Sequence, residues 1–199
     1  MSSITERTAT VARVTRETDI TLHLNLDGTG TAEVATGIGF LDHLLTALVL
    51  HARFDLRLTC RGDLAVDDHH TAEDCALAIG SAIDQALGDR SGITRFGSAY
   101  APLDEAISRA VVDCSGRPFA RVALGLQREQ LGALSCENVG HVISSLATAA
   151  RLTVHVDVLQ GDNDHHRAES AFKALALALR VAVARDGSTG VPSTKGVLA

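Results

Sequence analysis

Apolar and polar positions alternate along the first part of the chain. Residues 8–16 do so, and Ile20, Leu22, Leu24 and Leu26 recur every second residue, as in strands with one buried face. Asp27-Gly28 then ends the run as a turn. From 41 to 52 the apolar spacing becomes helical, and Phe54 to Leu58 reads as a short strand. Ala76, Ile79, Gly80, Ile83 and Leu87 then recur at helical spacing behind a His-His pair. The same order returns further on. Ile107 to Cys114 and Phe119 to Leu126 are predicted as a hairpin across Ser115-Gly116-Arg117-Pro118. Residues 137–150 follow as a helix, Leu152 to Val158 as a strand, and 165–184 as a helix with Phe172, Leu175, Leu179 and Ala182 inward. From Arg185 the chain reads as a loop.

The polar text repeats as well. Asp67-Asp68-His69-His70-Thr71-Ala72-Glu73 is echoed 96 residues later by Asn163-Asp164-His165-His166-Arg167-Ala168-Glu169. Asp42-His43 and Gly140-His141 open matched apolar segments at an offset of 98. Two features in one order at nearly one offset indicate an internal duplication of half the chain, too long for a solenoid repeat. The predicted fold class is therefore α/β, of the α+β sandwich type. A tandem duplication of a β-β-α-β-α half would give two small mixed sheets packed with helices. One domain over 1–199 is expected, with pseudo-repeats at about 8–95 and about 96–185 and a tail at 186–199.

The duplicated His-His-x-x-Glu carries the chemistry. On a helix the Glu shares a face with a ring three or four residues before it. Adjacent histidines diverge by about 100° around the axis, so each pair suits two different sites better than one. With His43 and His141, the set comprises His69, His70, Glu73, His165, His166 and Glu169 as well: six imidazoles and two carboxylates. Divided evenly, that is three His and one Glu for each of two metals. One such motif alone is readily explained as a helix start with Asp68 as N-cap. Capping explains neither the second copy nor the matched upstream histidines. His23, His51 and His155 have no repeat partner and read as surface or strand positions. Imidazole suits Zn, Fe, Cu and Ni, and carboxylate extends the range to Mn. The absence of Cys from the set weakens the case for a closed structural zinc site. Four ligands on an octahedral ion leave two positions for substrate or water, so the site reads as catalytic.

Composition narrows the classes. The chain of 199 residues is 46% hydrophobic and 21% charged, which is globular and large enough for a proper core. A net charge of -6, 3% aromatics and no Trp argue against a nucleic-acid surface. No apolar run approaches the ~18 residues that cross a membrane. Four scattered cysteines without a C-x-x-C pair, and a start lacking an apolar signal core, give the expectation of reduced thiols and a cytoplasmic protein.

Thr36-Gly37-Ile38-Gly39-Phe40-Leu41-Asp42-His43, Asp68-His69-His70-Thr71-Ala72-Glu73-Asp74 and Asp164-His165-His166 together resemble imidazoleglycerol-phosphate dehydratase. So do Arg16-Glu17-Thr18, Leu26-Asp27-Gly28-Thr29-Gly30, Arg95-Phe96-Gly97, Ser115-Gly116-Arg117-Pro118 and Pro192-Ser193-Thr194-Lys195-Gly196. The likeness runs from about residue 6 to the C-terminus. It implies dehydration of imidazole glycerol phosphate to imidazole acetol phosphate in histidine biosynthesis, with two Mn2+ per active site, other divalent metals being possible. It also implies a 24-subunit assembly in which neighbouring subunits complete the sites. The ligands it implies are the eight residues above, with Glu73 and Glu169 counted among the catalytic groups. Phosphate contacts would come from Arg95, Arg117, Ser193 and Lys195, and Glu17 would be an acid/base residue. Gly140 departs from the Glu often found before that histidine, which leaves a supporting role for that position open.

The chemistry agrees with the residues. Two metals can bind both nitrogens of an imidazole that has lost a proton, and charge in the ring helps expel a side-chain hydroxyl. Arg suits phosphate because its planar fork binds two oxygens together. Two other classes use the same ligands. A binuclear phosphoester hydrolase would activate water, though it favours more Asp and bridging carboxylate. A metal-storage shell would leave Glu17 and the phosphate set without a task.

Overall fold

The computed structural model describes residues 6–198. Residues 1–5, read above as lacking a signal core, and the final residue of the tail lie outside them. The first half runs β1 (Thr8–Val14), β2 (Thr18–Asn25), β3 (Ala32–Ala35), α1 (Gly39–Ala52), β4 (Asp55–Gly62) and α2 (His69–Leu87). The second runs β5 (Phe96–Leu103), β6 (Ala106–Asp113), β7 (Phe119–Ala123), the short β8 (Gln130–Leu131) and β9 (Leu134–Ser135), α3 (Cys136–Ala149), β10 (Thr153–Gln160) and α4 (Asp164–Ala182).

The two main sheets have one topology. Their orders are β1-β2-β4-β3 and β5-β6-β10-β7. In each, the first three neighbours are antiparallel and the last strand joins in parallel. Each main sheet thus has one strand more than the pattern predicts, β3 in the first and β5 in the second. The short β8 and β9 of the second half are not predicted either. The predicted β6–β7 hairpin is also corrected, because β10 lies between them and β7 pairs with β10 in parallel. Gly116 and Pro118 do turn the chain, but into a crossover rather than a hairpin.

Alternation sets the buried faces. Ile20, Leu22 and Leu24 of β2 and Leu56, Leu58 and Cys60 of β4 point inward, as do Ala110, Val112, Val154 and Val156 of the second sheet. α1 and α2 cover the first sheet, and α3 and α4 the second. The helix layers then meet, α2 on α3 and α1 on α4, in a four-layer sandwich with one continuous core. Small residues allow the close approaches. A Cβ on Gly97 would sit 2.0 Å from the Ala178 carbonyl oxygen, and one on Gly80 would sit 2.5 Å from that of Leu146. β5 is therefore seated directly on α4, and α2 on α3. The tail is tied rather than frayed: Gly92 donates its N–H to Gly190 and accepts from that of Asp186. No helix among the described residues is long and apolar enough to cross a membrane.

Candidate metal centre

The helix pairs across the sandwich assemble the histidines. His69 and Glu73 lie one turn apart on α2 and face His141 of α3. His165 and Glu169 lie one turn apart on α4 and face His43 of α1. In each trio one ligand atom per residue falls within 4.8 Å of the others. Glu73 Oε1 lies 2.9 Å from His141 Nε2, while Glu169 Oε2 lies 2.9 Å from His43 Nε2 and 3.2 Å from His165 Nε2. Imidazole and carboxylate without thiolate form a donor set that fits a divalent first-row ion. Each trio takes residues from both halves of the chain.

The second histidine of each pair points elsewhere, as the helical divergence requires. His70 Nδ1 donates to Asp63 at 3.0 Å, and His70 Nε2 lies 3.7 Å from Glu17 Oε1 at the β1–β2 turn. His166 Nδ1 donates to Glu105 at 2.7 Å, with Asp104 of the β5–β6 turn 3.8 Å from its Nε2. Asp63 raises the affinity of His70 for a proton, and Glu105 does so for His166. Glu105 is held down to about 2, by the Asn163 N–H first and then by His166. Within one chain the described residues thus bring two His and one Glu into each group, with His70 and His166 outside both. Glu17, remote in sequence from the paired histidines, comes to His70 because the hairpin folds it over the start of α2. A cavity of about 340 Å³ lined by Thr15, Arg16, Glu17, Asp63 and neighbours opens there.

The surroundings of the two groups differ. His69 Nδ1 donates to Asn138 Oδ1 at 2.9 Å, and Ser145 Oγ lies 3.3 Å from His141 Nε2. In the other group the Phe40 ring stands edge-on to His165, with centroids 5.0 Å apart, and Lys173 Nζ lies 2.7 Å from Glu169 Oε1. Burial pushes the Glu169 carboxyl up, but Lys173 and His43 outweigh it and hold it at about 2. Asp68 stands at the N-cap of α2, but its side chain bonds no N–H of that helix. Its carboxylate accepts the Ser135 N–H at 2.6 Å and hydroxyl at 2.8 Å, while Asp67 takes the His69 N–H at 2.9 Å. Asn163 fills the capping role on α4. Sequence reasoning missed Asn138, Lys173, Asp63 and Glu105. Only Lys173, four residues after Glu169, carried a usable spacing signal.

The expected phosphate residues cluster less tightly. Arg95 spends three N–H groups on Asp113, at 2.8 and 3.1 Å, and on the Pro192 carbonyl at 2.7 Å. It thereby anchors the strand of tail that carries Ser193 and Lys195, and two of its five donors stay open. Arg117 is exposed in the β6–β7 connection, and Lys195 is exposed in the tail. A Cβ at Gly140 would meet Val122 of β7 at an ordinary 3.7 Å. Position 140 therefore faces the sheet and not the His141 group.

Residues 36–179 match the family model for imidazoleglycerol-phosphate dehydratase. A relative of that name from Candida glabrata is 56% identical, covering 96% of this chain and 100% of its own. The chain belongs to the imidazoleglycerol-phosphate dehydratase family. An imidazoleglycerol-phosphate dehydratase from Phytophthora nicotianae is 62% identical over 97% of this chain, which spans 43% of that longer relative. The solved imidazoleglycerol-phosphate dehydratase of Staphylococcus aureus has a TM-score of 0.81 at 32% identity, covering 89% of this chain and 99% of its own. The Pyrococcus furiosus structure, in complex with (S)-C348, also has a TM-score of 0.81, at 36% identity and with 94% and 100% covered. As dehydratases of histidine biosynthesis, imidazoleglycerol-phosphate dehydratases are hydro-lyases. The phosphoester hydrolase and the storage shell therefore give way.

Proposed function

We propose that this chain removes water from imidazole glycerol phosphate to give imidazole acetol phosphate, using two Mn2+ ions. The observation that carries the reading is the matched pair of three-ligand groups, His43–His165–Glu169 and His69–Glu73–His141. His70 and His166, turned outward, would complete the sites of neighbouring copies in a cytoplasmic assembly of 24 subunits. The working unit would be one domain of two pseudo-repeats, 8–95 and 96–185, with the tail 186–199 closing over substrate.

The two groups would hold divalent ions, which would supply Lewis acidity to the substrate's imidazole ring. The protein supplies the rest. Glu17 takes the carbon-bound proton, and the hydroxyl leaves as water on receiving a proton; the enol so formed tautomerises to the ketone. Glu17 is half exposed and, among the described residues, its one ion-pair partner is His70, which leaves the carboxylate accessible to substrate. Arg117, Ser193 and Lys195 would hold the phosphate, together with the open donors of Arg95. Because Arg95 also holds Pro192, phosphate binding and tail placement are coupled through one guanidinium. Ketone formation from imidazole glycerol phosphate, assayed before and after chelation and after Mn2+ is restored, tests the reading. Activity that survives complete metal removal would refute it.

A further inference from the structure

We propose that the two metal groups are unequal: the His69–Glu73–His141 group binds its ion more tightly than the His43–His165–Glu169 group, and Asn138 and Lys173 set the difference. The inference rests on the reading that both groups hold a divalent ion, and it assigns positioning roles to two residues that are not ligands.

Asn138 lies on α3, three residues before His141, and is 2% exposed. Its carbonyl accepts the Nδ1–H of His69 at 2.9 Å. That bond fixes the ring orientation and the tautomer, leaving the Nε2 lone pair for a metal. The amide also bonds Asp68, whose carboxyl burial pushes up while Asn138 and Ser135 hold it below its ordinary range. A half-buried carboxylate, a buried amide and a half-buried imidazole thus form one chain of hydrogen bonds. Such a chain makes the imidazole a better donor.

The duplication provides the comparison. At the offset of 98, the position matching Asn138 is Phe40, and at the offset of 96 Asp68 matches Asp164. Phe40 offers His165 a ring edge and no acceptor. Asp164 accepts the Gln127 and Arg128 N–H groups on Oδ2, at 2.8 and 2.7 Å. Its Oδ1 is buried without a hydrogen-bond partner, with Arg167 Nη1 3.8 Å away, whereas Asn138 bonds the matching carboxylate of Asp68. Charge acts in the same direction. Glu169 already shares its carboxylate with Lys173 at 2.7 Å, whereas the position matching Lys173 is Leu77. Two neutral imidazoles, one carboxylate and one ammonium sum to zero; the other group sums to minus one. A dication therefore meets less attraction at the group on α1 and α4. The outward histidines do not offset this, because each carries a carboxylate on Nδ1, Asp63 on His70 and Glu105 on His166.

Titration of Mn2+ into the chelator-treated full-length protein, followed by calorimetry and by the EPR signal of free Mn2+, reads the difference directly. Two classes of site are expected. Asn138→Leu, similar in volume, should weaken the tighter class by about 10–100-fold and leave the weaker class in place. Lys173→Met should tighten the weaker class and leave the other unchanged. A single class in the unaltered protein would overturn the proposal while leaving the metal reading intact. So would a joint shift of both classes in Asn138→Leu, or a weaker class unmoved by Lys173→Met. Should Asn138→Leu not fold, the unaltered protein and Lys173→Met still decide. No Mn2+ binding at all would overturn the metal reading itself.

Discussion

The sheet of β1 to β4 and the sheet of β5, β6, β7 and β10 share strand order and direction, yet their outer faces differ in kind. The first exposes Thr10, Thr21, His23, Arg57 and Thr59 on paired strands. The second exposes Phe96, Tyr100, Val111 and Phe119, three of them more than half exposed, around Arg109, Arg121 and Asp157. Their inner faces must each seat two helices, and those helices must present His and Glu to partners from the opposite half. That requirement keeps spacing and topology alike. The outer faces are under no such demand within one chain, so they have diverged. The ligand groups are therefore properties of the midline and not of either half: α1 of the first half needs α4 of the second, and α3 needs α2.

The largest test breaks that interdependence. His43→Ala and His141→Ala, one ligand from each group, should each remove about one of the two metal equivalents and abolish turnover. Metal analysis beside an activity assay checks this. Substantial activity in either variant would mean that one group suffices.

The two hairpin turns give the next contrast. Glu17 and Asp104 stand at nearly equal distances, 3.7 and 3.8 Å, from the outward histidines of their own halves. Glu17→Gln should lower kcat by about 10²–10⁴-fold with metal content intact. Asp104→Asn should leave kcat within severalfold of normal. Equal losses would assign both turns the same role, and a normal rate in Glu17→Gln would remove that residue from the chemistry.

Packing supplies the third. Phe172 of α4 is 1% exposed, and the position matching it on α2 is Ala76, also 1% exposed. The helices thus fill equivalent places with very different volumes, and the core around Phe172 cannot collapse to suit alanine. Phe172→Ala should cost about 3–5 kcal/mol in denaturant unfolding. A cost below about 1 kcal/mol would mean that the two helix seats are interchangeable.

What was legible in the residues was what repeats. Helical spacing placed α1 to α4 within a few residues, and the divergence of adjacent histidines foretold that each pair would split. β3 escaped notice because it has four residues, two of them Ala, and β5 because Gly97, Ser98, Ala99 and Ala101 are too small to mark an apolar face. The parallel pairing of β7 was hidden for a different reason: turn chemistry identifies a reversal but not the strand that later inserts beside it. Glu17 reaches His70 only through the hairpin, and Asn138 reaches His69 only through the packing of α2 on α3. Both depend on contacts between segments far apart in the chain, which no local spacing encodes.

The smallest expected effect concerns acid. Burial alone would raise the Glu169 carboxyl, but Lys173 and His43 lower it from the ordinary 4.5 to about 2. A carboxyl depressed in the folded state contributes stability that is fully present above its unfolded value. That contribution is lost as pH falls through the folded one. The window is therefore about pH 4.5 down to 2. In metal-free protein, unfolding across this window should take up about one proton fewer in Glu169→Gln than in the unaltered chain. Lys173→Met should narrow the same window from its acid end, because the largest lowering contact is gone. Acid unfolding curves at fixed ionic strength measure both. Unchanged proton uptake in Glu169→Gln would show that Lys173 and His43 do not hold that carboxylate ionised, and that this group is no more charged in acid than an exposed glutamate.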